Sequence, residues 1–67
     1  DKNDKHAVLW FRKSAEQGYV AAQNKLALMY ASGQGVTANT KQSIFWLRKA
    51  AEQGDSQAKT LLHQLGY

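Results

Sequence analysis

W-F-R-K-S-A-E-Q-G at Trp10–Gly18 returns 36 residues later as W-L-R-K-A-A-E-Q-G at Trp46–Gly54. Self-similarity at a spacing of roughly 20–50 residues is the mark of a solenoid, in which each unit buries its apolar face only by stacking on a neighbour. The 67-residue chain holds barely two such periods. Read position by position, the phrase is architecture: Trp for the core, Ala for close packing, and Gly for the left-handed residue that ends a helix. Arg12 and Glu16, like Arg48 and Glu52, stand four residues apart, a helical ion pair worth only about 0.2–0.5 kcal/mol.

Working outward, Ala7, Val8, Trp10, Phe11 and Ala15 fall at three-four spacing, with Ser14 small enough to join them, which predicts an amphipathic helix from about Asp4 to Gln17. A second helix, about Val20 to Ser32, follows Gly18 almost at once. So short a connection forces an antiparallel hairpin. The stretch S-G-Q-G-V-T-A-N at 32–39 is a break, and Asn39 with Gln42 three residues on reads as an N-cap with its capping-box partner. The third helix, about Thr40 to Gln53, carries Ile44-Phe45-Trp46-Leu47; four apolar residues in a row cover more than one stripe and suit an element packed between two others. Gly54 ends it. Asp55 or Ser56 caps a fourth helix, about Ser56 to Leu65, whose face is Ala58, Leu61, Leu62 and Leu65.

The expected fold is therefore all-α, a right-handed α-solenoid fragment of antiparallel helix pairs with four helices. Trp10 and Trp46 are both placed at repeat-core positions, Trp46 with helices on both sides and Trp10 in the terminal helix.

Composition narrows the alternatives. A chain this short buries only about 60% of the surface its unfolded form exposes, and with no cysteine neither disulfides nor thiolate metal sites support it. Apolar residues at 43% are enough for a core. No apolar run approaches the roughly 18–20 residues of a membrane span, and no charged-then-apolar signal segment leads the sequence, so membrane insertion is not expected. The chain opens at Asp1 rather than methionine, which reads as a processed or excised segment, and no compartment follows from it. A net charge of +4 supports only non-specific attraction to acidic partners.

Beyond the phrase, the periods agree at Asn3/Asn39, Lys5/Lys41, Ala22/Ala58 and Leu26/Leu62, and differ at Tyr19/Asp55, Val20/Ser56, Ala21/Gln57 and Asn24/Thr60. Agreement at packing positions with divergence at positions read as exposed is what stacking requires.

The residues L-A-L-M-Y-A-S-G-Q-G-V followed by N-T-K-Q-S-I-F-W-L-R-K-A-A-E-Q-G resemble the Sel1-like repeat, a relative of the tetratricopeptide repeat, over essentially the whole chain. The phasing that this resemblance implies makes residues 1–67 a single domain with one full repeat at about 19–54, a preceding half repeat at 3–18 and a following half at 55–67. The chain departs from the family pattern at Ala27 and His63, where glycine is usual, and at Ser43, where alanine is usual. His63 is bulky for a tight crossing, which predicts that nothing stacks closely on that side of the fourth helix.

Sites of chemistry find little support. Gly33-Gln34-Gly35-Val36-Thr37-Ala38 matches G-x-G-x-x-A formally, but that fingerprint follows a strand and opens a helix, and here a helix precedes it. His6 and His63 lie near opposite ends of the chain, and neither has the convergent ligands that zinc needs. No serine is placed beside a base. The basic pairs Arg12-Lys13 and Arg48-Lys49 read as a solvated face, and aromatics committed to the core cannot stack on bases, so nucleic-acid binding is not expected. No cofactor, metal or catalytic residue is predicted.

What the resemblance implies is protein–protein interaction: a protein or peptide partner held on the concave face, lined by the first helix of each unit. The candidates are Ala21, Asn24, Leu28 and Ser32 from one helix, and Gln57, Thr60 and Gln64 from the next, a small, polar, uncharged set. The alternatives are a structural segment of a larger scaffold with no binding of its own, and a small hydrolase of the kind claimed for cysteine-rich relatives, whose cysteines this chain lacks. Uncapped repeat ends also carry a risk of weak self-association.

Overall fold

The computed structural model describes residues 2–66. Four helices follow one another, α1 (Lys2–Glu16), α2 (Val20–Ser32), α3 (Thr40–Glu52) and α4 (Ser56–Gln64), and no strand occurs among the described residues. Each helix packs on the next in order. The expected all-α helical repeat is the fold observed.

Turn chemistry sets the hairpins. At the end of α1, the Gly18 N–H bonds to the Ala15 carbonyl at 3.0 Å and the Tyr19 N–H to the Ser14 carbonyl at 3.2 Å. At the end of α3, Gly54 and Asp55 repeat the pattern onto Ala51 and Ala50, at 2.9 and 3.3 Å. This is the Schellman closure, which needs a left-handed residue after the helix, and Gly18 and Gly54 supply it at φ 99° and 91°. At helix starts, the Asn39 side chain accepts from the Gln42 N–H at 3.1 Å, and Asp55, not Ser56, caps α4 by accepting from the Ala58 N–H at 2.8 Å.

The core runs between the helices. α2, flanked by α1 and α3, is buried at Ala22, Gln23, Asn24, Leu26, Ala27, Met29 and Tyr30, and Leu26 and Met29 are its most enclosed large side chains. From α3 come Ile44, Trp46, Leu47 and Ala50; Val8 and Ala15 close the α1 side, and Ala58 and Leu62 the α4 side. The four-residue apolar run of α3 thus serves two neighbours through three of its members. Phe45 is the exception, 47% exposed, standing edge-on to Trp46 with ring centroids 5.0 Å apart.

Two expectations fail. Trp46 is buried at 8% exposure, but Trp10 is 70% exposed and is not a core residue. The reason is positional: α3 lies against the α1–α2 hairpin, whereas no helix among the described residues covers the corresponding side of α1. Arg12 does not pair with Glu16. Its guanidinium donates instead to the Tyr30 hydroxyl on α2 and lies 6.0 Å from the centre of that ring, tying α1 to α2.

Candidate partner-binding surface

A polar seam joins the two copies of the phrase. Gln23 of α2 donates its side-chain amide to the Ala15 carbonyl at 3.0 Å, and Gln53, just past α3, donates to the Gly18 carbonyl at 2.8 Å and to Gln23 Oε1 at 3.2 Å. Deeper along α2, the buried Ser43 hydroxyl of α3 donates to the Ala27 carbonyl at 2.8 Å. These bonds satisfy polar groups that would otherwise be stranded where helices meet, and they fix the register of one unit on the next.

The same seam removes one predicted site residue. Asn24 is buried, at 8% exposure, and its Nδ2 donates to Asp55 Oδ2 at 2.8 Å, while Oδ1 is enclosed without a hydrogen-bond partner among the described residues. The expectation that Asn24 is an exposed, groove-lining residue is corrected by this contact. Asp55 serves two purposes with one oxygen, capping α4 and holding Asn24. The hydrogen bond from Asn24, reinforced by the Ala58 N–H and opposed by burial, holds the Asp55 carboxyl below its ordinary pKa.

With Asn24 turned in, the exposed stripe of α2 is Ala21, Lys25, Leu28 and Ser32, at helical spacings of four, three and four. Leu28 is 43% exposed in the middle of a helix that is otherwise largely enclosed. On α4, Gln57, Thr60 and Gln64 are exposed, with Lys59 and His63 beside them. The hydroxyls are already engaged: Ser32 Oγ donates to the Leu28 carbonyl at 3.0 Å and Thr60 Oγ1 to the Ser56 carbonyl at 2.9 Å. Available donors are therefore the glutamine amides and the lysines, so the surface is basic and not uncharged. Lys25, at helical spacing from Ala21 and Leu28, shares the exposed stripe and is not among the predicted candidates.

A search of curated proteins finds no match. The family model described as Sel1 repeat matches twice, at residues 1–19 and 20–55. The chain belongs to the Sel1 repeat family. Among solved structures, a Sel1 repeat protein from Oxalobacter formigenes is 43% identical and superposes with a TM-score of 0.82 over 87% of this chain. The match spans 17% of that protein's length.

In this Sel1 repeat chain the boundary between the two matched stretches falls in the α1–α2 connection, next to the Gly18 carbonyl that Gln53 grasps. A concavity of about 400 Å³ opens beside that seam, lined by Ala15, Glu16, Gly18, Gln23, Trp46, Lys49, Glu52 and Gln53. Its amides are spent on the seam, which leaves the charged rim of Glu16, Lys49 and Glu52. His6 and His63 are both exposed, and no cluster of three or more histidine, cysteine or acidic residues able to hold a metal occurs among the described residues. No described helix is long and apolar enough to cross a membrane.

Proposed function

We propose that this chain is a protein-interaction module that holds an extended peptide segment along the exposed stripe of α2 and the adjoining exposed face of α4, without chemistry of its own. The observation that carries the reading is Leu28, a large apolar side chain 43% exposed between Lys25 and Ser32 on a helix whose other faces are enclosed. Apolar anchors set among polar groups are how helical surfaces hold extended ligands. Membership in the Sel1 repeat family, whose repeats typically mediate protein interactions, supports the same reading. Lys25 and Lys59 favour a partner with carboxylates flanking an apolar residue, and the net charge of +4 agrees in sign. The non-enzymatic part of the reading is supported by the Ser32 and Ser43 hydroxyls, which donate to backbone carbonyls and not to a base.

The test is selection of binders from a random peptide library on the 67-residue chain, followed by variants. Leu28→Glu and Gln57→Glu should each weaken a selected peptide by roughly tenfold or more while helicity is unchanged. Phe45→Glu, on α3, should leave binding alone. Loss of binding in Phe45→Glu with full binding by Leu28→Glu would move the site to α3, and a library that yields no binder would favour the purely structural segment.

A further inference from the structure

One stripe of the repeat stays open at both of its occurrences. Lys5, Leu9 and Lys13 stand four residues apart along α1, and a shift of 36 residues carries them onto Lys41, Phe45 and Lys49 along α3. Positions four apart lie on one side of a helix, so each helix presents an apolar side chain between two ammonium groups. Leu9 is 56% exposed and Phe45 47%. The two helices are neighbours, since Ala15 and Glu16 of α1 line one concavity with Trp46, Lys49 and Glu52 of α3. Leu9 therefore has a following unit beside it and Phe45 a preceding one, and neither neighbour closes the stripe. Its openness comes from the outer side of the stack and not from the ends.

The stripe is also basic. Lys5, Lys13 and Lys41 are exposed and pair with no acid among the described residues, and the Lys49 ammonium lies 5.4 Å from the centre of the Phe45 ring. Glu16 and Glu52 close the stripe at the helix ends, outnumbered by the four lysines. Two properties select the partner. Lysine is a point charge without the fork that reads a single carboxylate, so four of them spread over two helices suit a dense anionic surface better than one acidic side chain. The apolar residues stand singly between them, the arrangement that sinks large side chains among lipid headgroups while lysines reach the phosphates. We infer that the outer face of α1 and α3 docks peripherally on an anionic membrane, with Leu9 and Phe45 entering the headgroup layer and the four lysines lying on lipid phosphates. The inference is independent of the peptide-binding reading, because it uses α1 and α3 and not the α2 stripe.

Cosedimentation of the 67-residue chain with sucrose-loaded vesicles tests it, comparing phosphatidylcholine alone with phosphatidylcholine and phosphatidylserine in equal parts. The chain should bind the mixed vesicles, leave the neutral ones, and be released as salt is raised. Lys13→Gln and Lys49→Gln should each weaken binding by about fivefold, and Phe45→Ser by a similar factor, with helicity unchanged. Lys25→Gln and Lys59→Gln remove the same charge from α2 and α4 and should bind within about twofold of the wild type. Equal losses in all four lysine variants would reduce the effect to net charge and overturn the inference. So would no binding to the mixed vesicles, equal binding to the neutral ones, or full binding by Phe45→Ser. Poly-L-glutamate at the same concentration of negative charge should compete poorly; a tighter complex with it than with the vesicles would assign the face to an acidic protein segment instead.

Discussion

Gln53, at the end of the second copy of the repeated phrase, donates its side-chain amide to the carbonyl of Gly18, at the end of the first, across 2.8 Å. The same amide touches Gln23, which in turn reaches the Ala15 carbonyl. The repeat thus contributes both partners of its own junction: a helix-ending glycine whose carbonyl faces outward, and a glutamine one residue earlier that finds the preceding one.

This seam predicts an order of costs. Gln23 is buried and Gln53 is exposed, so Gln23→Ala should lower stability more than Gln53→Ala, the latter by about 0.5–1.5 kcal/mol as for a typical hydrogen bond. A double-mutant cycle read by thermal or urea melts should give a favourable coupling between them. Additive losses would mean that the Gln23–Gln53 contact carries no energy.

The two tryptophans should diverge although the phrase is shared. Removing a buried aromatic costs about 3–5 kcal/mol, a large part of the stability of so small a domain, whereas an exposed position changes it by about 0.5 kcal/mol. Trp46→Ala should therefore unfold the chain or nearly so, and Trp10→Ala should melt close to the wild type. Calorimetry that ranked them in the opposite order would reverse the stacking scheme.

Asp55 gives a pH dependence with a definite sign. Its carboxyl titrates below the ordinary value of 3.8 in the folded chain because the ionised form accepts from Asn24 and from the Ala58 N–H. A lowered folded pKa stabilises the fold fully above the unfolded value, and that contribution disappears as pH falls through the lowered one. The stability difference between wild type and Asp55→Asn should accordingly be present at neutral pH and shrink toward zero in acid. A difference that stays constant down to strongly acidic pH would remove the ionised Asp55 from the junction.

Gly54 should resist replacement for conformational reasons alone. A Cβ there meets nothing within 4 Å, yet the residue sits at φ 91°, which L side chains adopt at a cost of about 1–2 kcal/mol. Gly54→Ala should lower the melting temperature by that equivalent and Gly54→Asn by less, since asparagine tolerates the left-handed region better.

What the sequence made legible was whatever repeats. Trp46, Ala50, Gly54 and Asn39 announce core, close packing, helix stop and cap by residue type and spacing, and each occupies that place. What it concealed depends on which neighbours exist and where an amide is used. Trp10 has the same local sequence as Trp46 but no helix over it among the described residues, a difference invisible within a nine-residue phrase. Asn24 looks like a surface residue by polarity, and only the arrival of Asp55, 31 positions later in the chain, gives its amide a reason to be buried. Arg12 has a carboxylate at helical spacing, yet Tyr30 on the next helix claims the guanidinium. On α2 the consequence is that Lys25 and not Asn24 belongs to the exposed stripe.

The most direct test of the stacking account is the solvent exposure of each tryptophan, measured separately in dilute solution with the variants Trp10→Phe and Trp46→Phe. In Trp10→Phe the remaining Trp46 should emit at shorter wavelength and be shielded from iodide quenching; in Trp46→Phe the remaining Trp10 should emit as in water and be quenched freely. Equal quenching of the two, or a shielded Trp10 beside an accessible Trp46, would contradict the arrangement of α3 on the α1–α2 hairpin.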